Sequence, residues 1–159
     1  MSRLGSVLGN EYQNNKLSIV TRNVRVGDAT FKVRIPTVGE QEEINKRIVE
    51  LDEKKIQEVY EERTAKLMEV KEQNPPDVEY LEDDILLKGK SIRETVRTQL
   101  AIQARVMETI KLIIPQEGQD WSEITYADIE AEWAWEVQLE VVKKILEAIN
   151  PEYKEIKEK

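Results

Sequence analysis

The chain has 159 residues, 40% hydrophobic and 35% charged, with a formal charge of −8 at pH 7. That length supports a core without disulfide or metal staples, and the acidity excludes a general nucleic-acid binder, which needs a basic surface. Cysteine and histidine are both absent, which removes disulfides, thiolate nucleophiles, Cys-ligated zinc, the usual general base and the commonest metal ligand.

Residues 1–16 are polar with little periodicity and read as a flexible or partner-dependent lead. One domain is expected over 17–150. Leu17-Ser-Ile-Val-Thr predicts a third short strand beside a hairpin. In that hairpin Val24 and Val26 alternate with Arg25, and Phe31, Val33 and Ile35 alternate with Lys32 and Arg34. Gly27-Asp28 supplies the turn. One face is therefore apolar, and the other carries Arg25, Lys32 and Arg34, with Arg22 close by. Such a face suits an acidic partner or an acidic helix of a sister subunit; it also suits plain solvation of a strand that must not aggregate.

Pro36 stops the strand, and Thr37 with Glu40 has capping-box spacing. A long helix is expected over 37–72. Its apolar stripe changes phase by roughly 100° after Lys54-Lys55, from Ile44, Ile48 and Leu51 to Ile56, Val59, Tyr60, Leu67 and Val70. Glu42–Lys46, Glu43–Arg47, Glu50–Lys54 and Glu62–Lys66 have the favourable i,i+4 order. Two successive prolines, Pro75 and Pro76, end the helix. A short helix is expected over 78–88. Its Glu82-Asp83-Asp84 run reads as solvated charge, because adjacent helical residues diverge and no calcium-loop glycine surrounds them.

Ser91 and Glu94 repeat the capping spacing at the head of a helix expected over 91–114, with Ile92, Val96, Leu100, Met107, Ile110 and Ile114 on one seam. Thr125 and Asp128 mark the last helix, expected over 126–149. There Trp135, Leu139, Val142, Leu146 and Ile149 recur at 4-3-4-3 spacing. Tyr126, Ile129, Trp133 and Val137 form a second stripe on roughly the opposite side. One face closes the protein's own core; the other needs a second wall, from the chain itself or from a partner. Residues 151–159 are expected to fray.

No glycine-rich phosphate loop, Ser-x-x-Lys arrangement or activated nucleophile is present. No enzyme activity, cofactor or metal is expected. No apolar run approaches the ~18 residues of a membrane span, and no signal peptide is evident, so a cytosolic location is expected.

A polar lead, a hairpin ending Phe31-Lys-Val-Arg-Ile-Pro-Thr37, a long charged helix begun by Glu40 and a helical remainder with late tryptophans together resemble the tail assembly chaperones of long-tailed bacteriophages. The carrying residues are Val24 to Glu40, above all Phe31, Val33, Ile35, Pro36, Thr37 and Glu40. The elements read above make a mainly α protein with a small N-terminal β-hairpin, a bundle of about three to four helices, and the resemblance implies that it acts in the host cytoplasm and is not part of the mature virion. It also implies binding to the tape-measure protein, recruitment of tail-tube subunits and self-association, without nucleic acid or membrane. The partner-binding candidates come from the stripes: Trp133, Trp135, Ile129, Val137, Leu139, Val142 and Leu146, with Arg25, Lys32 and Arg34 as a secondary contact. The alternative is a structural tail or head–tail connector subunit whose hairpin augments a neighbour's sheet.

Overall fold

A computed structural model describes residues 2–150. It is mostly helical with two small antiparallel sheets, the expected α+β class. Its contacts gather into two compact units. The first comprises residues up to Glu42 and those from Val106 onward; the second runs from Glu43 to Arg105. The expected tail at 151–159 lies outside the described residues.

The first unit begins with α1 (Arg3–Leu8) and α2 (Asn10–Val20). These replace both the unstructured lead and the third strand. The Ser2 hydroxyl caps α1 by accepting from the Gly5 amide at 2.9 Å, and Gly9, at φ 86°, makes the bend between the helices. Leu4, Val7, Leu8, Leu17 and Ile19 all stay exposed, so no apolar face revealed these helices by burial.

The hairpin forms as expected. β1 (Thr21–Val26) pairs with β2 (Ala29–Arg34), and Val26 opposite Ala29 closes a two-residue turn. Gly27 takes φ 60° at the first central position, where a II′ turn requires glycine. Val24 and Val33 are buried. β2 finds a further neighbour in residues 112–114. The Arg34 amide donates to the Leu112 carbonyl at 2.9 Å, and the Ile114 amide to the Lys32 carbonyl at 2.8 Å. The helix expected to reach 114 therefore ends at Ile110, because its last residues pair with the sheet.

α3 (Val38–Val49) starts where Thr37 accepts from the Glu40 amide. α4 (Glu53–Glu69) is a separate helix, so the expected 37–72 helix is two. Asp52 caps α4 by accepting from the Lys54 amide at 3.0 Å. The phase change in the apolar stripe is this break, and the Glu50–Lys54 pair straddles it. The boundaries between units fall inside α3 and inside α5 (Ile92–Ile110).

In the second unit Ile44, Ile56, Tyr60, Thr64, Ile85 and Val96 are buried. The Glu53 carboxylate takes two hydrogen bonds from Arg97, at 2.8 and 3.1 Å, which hold Glu53 below its ordinary pKa. The short helix expected over 78–88 is instead a meander of β3 (Val78–Tyr80), β4 (Ile85–Leu87) and β5 (Lys90–Ser91). Lys88 and Gly89 both take positive φ, as a two-residue I′ turn demands. Turn chemistry, with strand-favouring Val78, Tyr80 and Ile85, overrides a weak helical pattern.

Asp84, read from the sequence as solvated charge, is the hub of this meander. Its carboxylate accepts from the Ile85 amide at 2.8 Å, from the Arg93 amide at 3.1 Å and from the Ser91 hydroxyl. It thus holds β4 and caps α5 together. No group of three or more acidic side chains able to hold a metal occurs among the described residues.

Candidate partner-binding surfaces

The helix expected over 126–149 breaks into α6 (Tyr126–Glu132) and α7 (Trp135–Ile149), with Trp133 and Ala134 extended between them. α6 opens with the full capping box of Thr125 and Asp128. The two stripes therefore do not run along opposite sides of one helix. Within α7 the buried side is Gln138, Val141, Val142 and Ile145, one position away from the seam read in the sequence.

The candidates separate accordingly. Ile129 and Val142 are core residues, at 7% and 9% exposure. Trp133 and Leu146 are half-buried. Trp135 is 45% exposed, Leu139 47% and Val137 36%. Trp135 and Leu139 lie one turn apart and share a side of α7, while Val137, about 200° from Trp135, lies across it. Only the N-terminal half of the seam is an open apolar surface.

Gln138 was not legible as a special residue. It is 2% exposed, its side-chain oxygen accepts from the Tyr126 hydroxyl at 2.8 Å, and its amide donates to the Trp133 carbonyl at 3.0 Å. It pins α6 to α7 across the break. Burial pushes the Tyr126 phenol up in pKa. The one signal was a glutamine among apolar residues in register with Val141, Val142 and Ile145. Trp121 is half-buried, and its ring N–H donates to the Ile113 carbonyl at 2.8 Å.

On the hairpin, register places Arg25, Lys32 and Arg34 on one face together with Thr21, Asn23 and Thr30. They differ in availability. Arg34 is paired with Glu40. Arg25 lies by the turn, 3.8 Å from Asp28 in a fully solvated pair that contributes little. Lys32 is exposed and holds no ion pair among the described residues. The Arg25 carbonyl, at the outer edge of β1, accepts from the Lys144 ammonium at 3.1 Å.

No helix among the described residues is long and apolar enough to cross a membrane. Comparison with family models, with curated proteins and with solved structures gives no match.

Proposed function

We propose that the chain is a binding protein, a tail assembly chaperone that holds apolar helical segments of a tape-measure protein in the host cytoplasm and helps recruit tail-tube subunits to them. One observation carries the reading. α7 buries Val141, Val142 and Ile145, yet leaves Trp135 and Leu139 nearly half exposed one turn apart. Aromatic and aliphatic anchors at that spacing suit an apolar helix laid alongside. Self-association along a long client is part of the same proposal, as is the absence of catalysis.

Covering the exposed ~110 Å² of Trp135, at about 25 cal/mol per Å², contributes about 2–3 kcal/mol. Trp135→Ala then weakens client binding roughly 30- to 150-fold. The test is co-expression with a tape-measure fragment followed by pull-down. The wild type should keep the fragment soluble and bound, and Trp135→Glu should lose it while remaining folded by circular dichroism. Capture by Trp135→Glu equal to wild type, or no solubilisation by wild type, overturns the reading.

The structural-subunit alternative relies on an open hairpin edge. The lysine ammonium on the Arg25 carbonyl blunts that edge, a device that discourages edge-to-edge pairing. Stoichiometric presence of the protein in purified particles would reverse this preference.

A further inference from the structure

A cleft of about 450 Å³ lies on the basic side of the hairpin, where α2 flanks the sheet. Asn14, Asn15 and Ser18 of α2 form one wall, and Arg22, Asn23 and Lys32 contribute from the strands. In a chain with 32 acidic residues, no carboxylate lines it. We propose that this cleft is a second docking site, which receives an acidic segment of a partner protein.

Two features argue for that occupant. The first is Arg22. By register its side chain leaves β1 on the apolar face, but one guanidinium nitrogen, Nη1, donates to the Ile19 carbonyl at 3.2 Å and the Thr21 carbonyl at 2.8 Å. Those bonds fix the group beside the cleft. They leave Nε and Nη2, the donors that form a fork toward a carboxylate, without an acceptor among the described residues. The second is Lys32, exposed and unpaired, which supplies a further positive charge against the acidity of the rest.

Amide side chains at Asn14 and Asn23 add polar contacts. A nucleic acid is disfavoured because two cations neutralise few phosphates and the chain's charge of −8 repels the remainder.

The test is fluorescence anisotropy with a labelled peptide of about ten residues alternating glutamate and serine, against the same peptide with glutamine. Binding should be confined to the glutamate peptide and should weaken as salt rises from roughly 50 to 300 mM. Lys32→Gln and Arg22→Gln should each weaken it about tenfold. Lys66→Glu, an exposed charge reversal at a residue that does not line the cleft, should change it less than about twofold and so controls for net charge. Circular dichroism and Trp135-dependent client capture check that each variant is folded. Equal affinity for the glutamine peptide, or an equal effect of Lys66→Glu, overturns the proposal. So does equally tight binding of a single-stranded oligonucleotide, or displacement by millimolar phosphate. A second copy of this chain as occupant would appear as salt-sensitive dimerisation abolished by Lys32→Gln, and would overturn the assignment to a different partner.

Discussion

Replacing Asp84 by alanine tests whether a residue that looks like surface charge organises the second unit. Its carboxylate serves three donors: the amides of Ile85 and Arg93 and the Ser91 hydroxyl. Ile85 is 2% exposed, so its amide cannot readily turn to water, and an orphaned buried amide costs about 1–3 kcal/mol. The Arg93 amide belongs to the first turn of α5, where loss of a cap costs about 0.5–2 kcal/mol. The two overlap, and a total of about 2–4 kcal/mol follows. Asp83→Ala next door is the control. Its side chain is exposed and the bond it makes to Arg93 uses the backbone carbonyl, so about 0.5 kcal/mol or less is expected.

Urea unfolding followed by far-UV circular dichroism gives the difference. Trp121, Trp133 and Trp135 all lie in the first unit, so tryptophan fluorescence reads that unit and serves as a separate signal. Hydrogen exchange at the Ile85 and Arg93 amides should quicken in the variant. The pH dependence has a definite sign. Burial pushes Asp84 up, but the Ser91 hydroxyl, the Arg93 and Ile85 amides and the Arg93 charge outweigh it and hold the carboxyl below its ordinary 3.8. A group depressed in the folded state contributes fully above its unfolded pKa and loses that contribution as pH falls through its folded pKa. The wild type should therefore lead Asp84→Ala by a constant margin above about pH 5, and the margin should close as pH falls below 3.8. A loss no larger than that of Asp83→Ala would refute the hub role.

Gln138→Leu should cost about 1–3 kcal/mol in chemical denaturation by stranding the Tyr126 hydroxyl and the Trp133 carbonyl. Adding Tyr126→Phe should cost less on that background than on the wild type, and additive losses would argue against their coupling. Trp121→Phe should lower stability by about 1 kcal/mol through loss of the bond to the Ile113 carbonyl. Trp135→Ala should cost about 1–2 kcal/mol in chemical denaturation, because slightly more than half of the side chain is covered, and a loss above about 3 kcal/mol would mean that Trp135 packs inside. Gly27→Val should destabilise by roughly 1–2 kcal/mol because it forces a branched side chain to φ 60°.

The β-hairpin is the part of this protein that its sequence determined unaided. Alternation of Val24, Val26, Phe31 and Val33, a turn at Gly27 and a stop at Pro36 are local facts, and each has one structural solution. The α+β class and the helix starts at Thr37, Ser91 and Thr125 were legible for the same reason. Breaks inside long helical patterns were not. Asp52 and Trp133-Ala134 interrupt stretches whose composition is compatible with helix throughout, and the competition between continuing and turning is decided by what lies alongside. Residues 78–91 fold as strands because turn chemistry at Lys88-Gly89 and strand formers outweigh a weak helical pattern, and Asp84 locks the result by accepting from Ser91 and Arg93. The candidate site divides in the same way. That the last helical region carries two apolar stripes was readable from spacing. That Val142 and Ile129 would be covered while Trp135 and Leu139 stayed open required the break at Trp133, because it resets the helical phase and lets Gln138, Val141 and Ile145 take the inner side.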